Sequence, residues 1–338
     1  MKKIVKTTAV ALSVTLIAGI SASKAYSAEQ SDTVRLGGQP FGVRFYNDGV
    51  VVTELEDFFD GCRYLCPARS GGLKTGDVIK AAGDRQVKTN EDLQSITADS
   101  SGKPICFTVE RNGKRLERSV TPQKNISGQY LLGAWVRDSC AGIGTVTYYD
   151  DDRNYFAALG HGICDADTGA LMPLGSAEIV RASINSVTKS AAGKPGSLNG
   201  YFTGESIGEL TDNTSLGVYG KAQGDALDEG SSVEIADFDE IKTGKAEIFT
   251  TITEGEPEYY TIEITDICNS SPESNENFVI KITDKRLLDE CGGIVQGMSG
   301  SPIIQNGKLV GAVTHVFLNS PKEGYGVSAR YMVSNRNE

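Results

Sequence analysis

Short apolar runs that alternate with polar residues recur along much of this chain, and they limit what it can fold into. Clear examples lie at 144–149, 248–253 and 260–264. Alternation with a period of two is typical of half-buried β-strands, and no long segment shows the 3.6-residue period of an amphipathic helix. The 39 glycines favour tight turns between the strands. The sequence therefore predicts a mostly β protein, and its 338 residues are enough for two domains.

The first 27 residues differ from the rest. A lysine-rich start is followed by an uncharged, mostly apolar run from Thr7 to Ile20, and small residues precede Ser27. The apolar run is shorter than the roughly 20 residues that a membrane-spanning helix needs. The pattern predicts a secretory signal peptide at 1–27, with an uncleaved membrane anchor as the alternative.

Charge and cysteine content restrict the partners. Cleavage after Ser27 would remove four lysines and change the net charge from −11 to −15. So acidic a chain is repelled by nucleic acid and by anionic lipid. The seven cysteines leave at least one thiol free in an exported protein. Cys62 and Cys66 are the only close pair, and no histidine lies near them, so we expect a disulfide or free thiols rather than zinc. No metal and no cofactor is expected.

An α+β block follows the signal segment. Its elements are a strand at 49–53, a glycine-rich turn ending in Gly-Asp at 71–79, a helix at 91–96 capped by Thr89 and Asn90, and a strand and hairpin turn at 105–114. This order resembles a PDZ domain, and the resemblance covers 35–121. PDZ domains bind chain termini by adding a strand to a sheet edge, with the carboxylate on backbone N–H groups of a loop. Phe41, Gly42 and Val43 fit the pattern of that loop and are the predicted peptide-binding residues, with an ordinary apolar turn as the alternative.

The most informative motif is Gly-Met-Ser-Gly-Ser-Pro at 297–302. Glycines around a serine permit a tight turn that aims backbone N–H groups at one point, as an oxyanion hole requires. A hairpin around Asn306-Gly307 follows and would support the loop. The motif and hairpin resemble the nucleophile region of trypsin-like proteases. Ser299 is the predicted nucleophile, with the N–H groups of Gly297 and Ser299 as oxyanion donors, and Ser301 is the weaker candidate.

A serine nucleophile needs a base, and the chain has two histidines. His161 follows an apolar strand and precedes Ser299 in the chain, so it is the predicted general base. His315 lies inside the strand after the nucleophile, where the trypsin-like pattern places a residue beside the substrate. With an ordinary histidine pKa, activity should rise through about pH 6 to 8.

The third catalytic residue is less defined by the sequence. Asp284 lies between His161 and Ser299 in the chain, as the acid of a trypsin-like enzyme does. Asp165 and Asp167 lie near His161, and Thr314 offers a neutral hydrogen bond instead. Asp284 is the predicted acid, and the others stay open.

Together the segments 160–169, 292–303 and 311–317, preceded by a PDZ-like block, resemble the stage IV B sporulation peptidases (peptidase family S55). His161 and Ser299 match that family's histidine and serine, and Asp284 matches an acidic position. The resemblance implies a trypsin-like double β-barrel serine peptidase domain at 122–338. It also implies a secreted serine endopeptidase that acts between the forespore and mother-cell membranes. There it would cleave a membrane-bound regulator of an intramembrane metalloprotease and so trigger late sigma-factor processing, with self-cleavage near its own N-terminal segment.

Two other functions compete with this interpretation. A general envelope quality-control protease also combines PDZ and protease domains, but normally in the opposite order. A catalytically silent PDZ scaffold would not need His161, Ser299 and their glycine-rich surroundings.

Overall fold

The computed structural model describes residues 33–150, 154–223 and 230–335, and the predicted signal segment at 1–27 lies outside these ranges. Within them the chain forms 22 strands and four α-helices, so the predicted mostly β fold is confirmed. No helix of this part of the chain is long and apolar enough to cross a membrane.

The strands and helices have the following bounds. The strands are β1 (Thr33–Leu36), β2 (Pro40–Leu55), β3 (Phe58–Phe59), β4 (Tyr64–Leu65), β5 (Val78–Ala82), β6 (Arg85–Gln86), β7 (Ile105–Arg111), β8 (Lys114–Val120), β9 (Gln123–Lys124), β10 (Tyr130–Leu131), β11 (Ala134–Asp150), β12 (Tyr155–Ala158), β13 (Leu174–Thr188), β14 (Ser197–Thr214), β15 (Gly217–Ala222), β16 (Ser232–Ile235), β17 (Gly244–Thr250), β18 (Glu258–Ile267), β19 (Phe278–Ile282), β20 (Pro302–Gln305), β21 (Lys308–Phe317) and β22 (Ser320–Ser328). The helices are α1 (Pro67–Ser70), α2 (Asn90–Asp99), α3 (Lys285–Cys291) and α4 (Ala329–Ser334).

Six antiparallel strands close into a first barrel, in the order β2, β11, β12, β15, β14, β13 and back to β2. Closure leaves no unpaired edge. Alternate residues of each strand point inwards, and Phe41, Phe45, Ile179 and Val218 are among the fully buried side chains of its core.

A second barrel of six antiparallel strands closes in the order β17, β18, β19, β22, β21, β20 and back to β17. Ile248, Ile262, Phe278 and Ile303 fill its interior. Strand β1 pairs with β11 of the first barrel and with β16, which in turn runs parallel to β21 of the second. The two barrels are thereby joined by a shared ladder, and the predicted double β-barrel is confirmed.

The PDZ domain is inserted into the first barrel, between β2 and β11. Its sheet is formed by the second half of β2 with β5, β7 and β8. Val52, Ile79, Leu93 and Phe107 are buried in its core, together with side chains of α1 and α2. Strands β2 and β11 are both long because each runs from the PDZ domain into the barrel.

Local signals of the PDZ block act as predicted. Thr89 is the N-cap of α2, and its hydroxyl accepts from the Asp92 N–H while the Asp92 carboxylate accepts from the Thr89 N–H. This reciprocal capping satisfies two of the free donors at a helix start. The hairpin between β7 and β8 turns at Asn112 and Gly113, whose φ angles are 52° and 69°, as a two-residue hairpin turn requires.

The predicted peptide-binding loop at Phe41, Gly42 and Val43 is wrong. These residues lie inside β2, with β11 on one side and β13 on the other, so their backbone has no free edge for a peptide. Phe41 is fully buried in the first barrel, and a Cβ on Gly42 would lie 2.3 Å from the ring of Phe202. The segment is therefore part of the first barrel. The predicted PDZ block, which begins at residue 35, includes this barrel strand at its N-terminal end.

Candidate active site

A cleft of about 1220 Å³ lies between the two barrels. Strands β11 and β14 line it from the first barrel, and the segment 294–299 and β21 line it from the second. His161 and Ser299 both lie on its wall, so the structure brings the predicted base and nucleophile into one cleft.

The loop that carries Ser299, residues 295–301, depends on two glycines. Gly297 and Gly300 have φ angles of +100° and +93°, which side-chain-bearing residues rarely adopt. A Cβ on Gly300 would also lie 2.0 Å from the Thr145 carbonyl oxygen and 2.5 Å from the Leu159 nitrogen. The loop is therefore pressed against the first barrel so closely that only glycine fits at position 300.

Two threonines of β11 hold this loop from the opposite barrel. The Thr145 N–H donates to the Ser299 carbonyl at 3.0 Å, and its hydroxyl donates to the Gly297 carbonyl at 2.8 Å. The Thr147 hydroxyl donates to the Gly300 carbonyl at 2.8 Å. Both threonine side chains are buried, where hydrogen bonds are poorly replaced by water. Three carbonyls of the serine loop are thus fixed across the barrel interface.

Ser299 itself is partly exposed in the cleft. Its hydroxyl donates to the Thr314 carbonyl at 2.9 Å. Across the residues that the structure describes, the backbone N–H groups of Gly297 and Ser299 have no hydrogen-bond acceptor. Two unbonded N–H donors beside a serine hydroxyl that faces a cleft match the arrangement that stabilises an oxyanion.

Ser301, the weaker candidate nucleophile, lies elsewhere. Its side chain is completely buried, and its Oγ lies 2.7 Å from the Met298 carbonyl and 2.8 Å from the Thr250 hydroxyl. No substrate carbonyl can reach it there.

His161 follows β12 through a tight turn in which Leu159 and Gly160 both have positive φ angles, 69° and 67°. Its Nδ1 lies 2.8 Å from the Gly162 carbonyl. A carbonyl oxygen only accepts, so Nδ1 carries the proton and Nε2 is the basic nitrogen. An acid holds the same tautomer in a Ser-His-Asp triad.

The environment keeps His161 neutral. Desolvation lowers its pKa to about 4; the hydrogen bond to Gly162 opposes this and the nearby His315 adds to it. The two imidazole rings are 4.9 Å apart between centroids, and desolvation also lowers the pKa of His315. This lowered pKa predicts that activity rises at a lower pH than it would with an ordinary histidine.

Asp284 does not reach this site. It is the N-cap of α3, where its carboxylate accepts from the Arg286 N–H at 2.9 Å and pairs with the Arg286 guanidinium at 3.1 Å. It also accepts from the Thr261 N–H at 3.2 Å. Partial burial raises its pKa, but these hydrogen bonds outweigh burial and leave the pKa below its usual value. The predicted assignment of Asp284 as the catalytic acid is therefore wrong, because its carboxylate is bound to Arg286 and Thr261 at the start of α3.

The other candidates for the third residue are occupied as well. Asp165 and Asp167 both pair with Arg137. The Thr314 hydroxyl donates to the Asn275 carbonyl at 3.0 Å. Within 33–150, 154–223 and 230–335, the imidazole of His161 is hydrogen-bonded to the Gly162 carbonyl.

Three functional residues were missed from the sequence: Thr145, Thr147 and Gly162. A signal for the threonines exists, because Thr145-Val146-Thr147 places two hydroxyls on one face of an otherwise apolar strand. The sequence carries no comparable signal for the role of a backbone carbonyl such as that of Gly162.

All seven cysteines are unpaired, with Cys62 exposed and Cys66 buried. In the described ranges, no group of three or more His, Cys, Asp or Glu side chains is placed to hold a metal ion.

Two joined β-barrels with a glycine-framed serine and a neutral histidine in the cleft between them define a trypsin-like serine peptidase. The comparison with protein families agrees with this class. The model of the SpoIVB peptidase S55 family matches residues 128–333, more than half of the chain, and the chain belongs to that family. The PDZ domain model matches residues 27–121.

Individual relatives match only part of the chain. The metalloprotease MmpA of Caulobacter vibrioides is 39% identical over 72 residues, which are 20% of this chain and 18% of that protein. The probable protease eep of Enterococcus faecalis is 40% identical over 67 residues, 20% of this chain and 16% of that protein. The matched region thus covers less than a fifth of the length of each relative.

Solved structures of proteases resemble the chain at low identity. The active form of the Rv3671c protease from M. tuberculosis shares 14% identity with a TM-score of 0.33, over 58% of this chain and 72% of that chain. The HtrA-type protease AlgW, solved with a decapeptide, shares 11% identity with a TM-score of 0.34, over 88% of this chain and 63% of that chain.

Proposed function

We propose that this PDZ-containing serine peptidase is an exported endopeptidase in which Ser299 is the nucleophile and His161 the general base. The observation that carries the assignment is the serine loop, where the N–H groups of Gly297 and Ser299 are unbonded beside the hydroxyl. An open cleft between barrels suits an extended peptide, so cleavage inside a protein chain is favoured over removal of single terminal residues.

The residues would act as follows. His161 Nε2 accepts the Ser299 proton as Oγ attacks the scissile carbonyl, and the negative charge on the carbonyl oxygen is held by the Gly297 and Ser299 N–H groups. The protonated imidazole then gives its proton to the leaving amine, and water releases the acyl group by the same steps. Because the Ser299 hydroxyl donates to Thr314 in this structure, it must first turn to His161, a rearrangement that substrate binding commonly completes.

We further propose that the substrate is a membrane-bound regulatory protein of sporulation, whose cleavage releases an intramembrane protease and so triggers late sigma-factor processing. Membership of the SpoIVB peptidase family supports this role. The predicted signal peptide at 1–27 supports export from the forespore into the space between the two membranes. The acidic chain, with a net charge of −11, fits a protein substrate better than nucleic acid. The chain's own N-terminal segment is a second proposed substrate.

The test uses the exported chain in a reconstituted system. Membranes of sporulating cells are incubated with the wild-type protein and with Ser299→Ala, and cleaved membrane proteins are identified from their new N-termini. We expect a few discrete cuts, in membrane-bound regulators and in the chain itself, that the variant does not make. Indiscriminate digestion of an unfolded protein such as casein would instead favour the quality-control function.

A further inference from the structure

The PDZ sheet has two outer strands, and one of them is not free. The sheet order β2, β5, β7, β8 makes the second half of β2 one edge and β8 the other. PDZ domains use an exposed edge of this kind to bind an extended peptide. Here the β2 edge is already paired with the start of β11, in the antiparallel register Ala134 with Leu55 and Arg137 with Val51.

The segment 132–138, here called the docked segment, fills this edge as a bound peptide would. Leu132 is buried, and Ala134 and Val136 pack against the PDZ core, whereas Trp135 between them is 61% exposed. This alternation is that of a strand with one face in a groove.

Backbone contacts fix the docked segment at both ends. At its start, the Leu132 carbonyl accepts from the Ala68 N–H at 2.8 Å, and the Gly133 carbonyl accepts from the Glu56 N–H at 3.0 Å. At its end, the Asp138 carboxylate accepts from the Asn90 N–H at 2.9 Å. Asn90 is the first residue of α2, where a carboxylate is favoured by the helix dipole.

The same strand continues into the active site. Residues 140–144 line the cleft, and Thr145 holds the serine loop by two hydrogen bonds. At the join, Arg137 pairs with Asp165, which is buried and accepts from the N–H groups of Asp167 and Thr168 in the loop after His161. One continuous strand thus connects the docked segment to the serine loop, and the Arg137–Asp165 ion pair connects it to the loop after His161.

We propose that the docked segment is the internal ligand of the PDZ domain, and that its docking holds β11 where it shapes the catalytic cleft. The PDZ edge is then used to assemble the peptidase rather than to capture a free chain terminus. The role in catalysis rests on the proposed function, whereas the occupancy of the PDZ edge does not.

The first measurement tests occupancy alone. A fluorescent peptide with the sequence of residues 131–139 is titrated into the wild-type chain and into Val136→Asp. Val136 packs, partly buried, against the PDZ core. A carboxylate without a partner in that apolar contact is unfavourable, so this substitution should release the docked segment and free the edge. We expect saturable binding to the variant and none to the wild type. Saturable binding to the wild type would overturn the proposal.

The second measurement tests the effect on the site, with a matched control on the opposite edge. Leu116 lies on β8 and packs against the same PDZ core, partly buried like Val136, but away from the docked segment. The rate at which a fluorophosphonate labels the protein should fall at least about tenfold in Val136→Asp, equivalent to about 1.4 kcal/mol in activation free energy. In Leu116→Asp it should fall by no more than about twofold.

Equal losses in the two variants would show that the PDZ domain matters only for stability, and an undiminished rate in Val136→Asp would show that docking does not position the site. Either result overturns the positioning role. Absence of labelling in the wild type would count against the proposed function instead, and the peptide titration would still decide whether the edge is occupied.

Discussion

The serine loop and the histidine loop face each other across one cleft, but the protein holds them in different ways. The loop at 295–301 is fixed by hydrogen bonds from Thr145 and Thr147 in the opposite barrel, and by a glycine that no other residue can replace. In the described part of the chain, His161 is oriented by one hydrogen bond, to the carbonyl of the next residue, and by a ring contact with His315. The oxyanion side of the site is therefore built rigidly in advance, whereas the base is oriented by a neutral acceptor.

The serine loop therefore depends on a preorganised backbone, whereas the histidine loop depends on the charge state of the imidazole. A backbone carbonyl selects the tautomer of an imidazole as a carboxylate does, but it brings no full negative charge to stabilise the imidazolium. Desolvation lowers the pKa of His161 to about 4, and the hydrogen bond to the Gly162 carbonyl only partly opposes it. The two loops should accordingly respond very differently to substitution and to pH.

The largest expected effect is at the nucleophile. Ser299→Ala should lower the rate of peptide cleavage by about 10⁴- to 10⁶-fold, as loss of the nucleophile does in other serine proteases, and should abolish fluorophosphonate labelling. Ser301→Ala is the matched control, because it removes a buried hydroxyl two residues away. It should cost about 1–3 kcal/mol of stability and still be labelled. Labelling of Ser299→Ala would mean that another residue attacks the substrate.

The serine loop was predictable from sequence because its geometry is encoded locally. Glycines at positions of positive φ, a serine between them and an Asn-Gly hairpin after it are all visible within 20 residues. The barrels were predictable as a class for the same reason, since period-two alternation reports strands wherever one face is buried.

What the sequence did not show depends on long-range pairing. Nothing local distinguishes the first half of β2, which closes a barrel, from the second half, which belongs to the PDZ sheet, because both are apolar strand patterns. The mistake at Phe41, Gly42 and Val43 arose there. Asp284 was misassigned because order along the chain does not determine proximity in space.

The pH dependence of kcat/KM tests the histidine loop separately from the serine loop, because it reports the protonation of His161. His161 must be neutral to accept a proton, and with a pKa lowered to about 4 it is neutral above that pH. The value of kcat/KM should therefore rise with a midpoint near pH 4 and fall about tenfold per pH unit below it. Since the unfolded chain titrates near its ordinary pKa of about 6.5, stability is also lost as pH falls from there towards 4. Folding must be monitored alongside by tryptophan fluorescence. Because kcat/KM reports the free enzyme, a midpoint between pH 6 and 7 would show that His161 keeps a nearly ordinary pKa before substrate binds.

A smaller effect is expected from the hydrogen bonds that hold the serine loop. Thr145→Val removes the bond to the Gly297 carbonyl and should lower kcat about tenfold with little change in KM, because the oxyanion donors lose their alignment. Thr147→Val removes the equivalent bond to Gly300, which carries neither donor. The two variants should lose similar stability, about 1–3 kcal/mol for each buried carbonyl left unbonded. Equal losses of kcat would contradict the distinction between support of the oxyanion hole and support of the fold.

The smallest effect is expected at Asp284. Its conversion to asparagine distinguishes a role as a helix cap from a role as the catalytic acid. Asparagine caps a helix about as well as aspartate. The substitution removes the ion pair with Arg286, whose guanidinium is largely exposed and for which about 0–1 kcal/mol is typical, and the 3.2 Å hydrogen bond from the Thr261 N–H. Loss of the carboxylate from a catalytic triad instead lowers kcat about 10⁴-fold. We therefore expect Asp284→Asn to keep kcat within about twofold of wild type and to unfold at nearly the same temperature. Asp284→Ala should keep a similar kcat but lose about 1 kcal/mol of stability with its cap. Measuring kcat and the thermal midpoint of both variants distinguishes the roles. A decrease in kcat of more than about 100-fold in Asp284→Asn, with an unchanged thermal midpoint, would show that Asp284 is the catalytic acid.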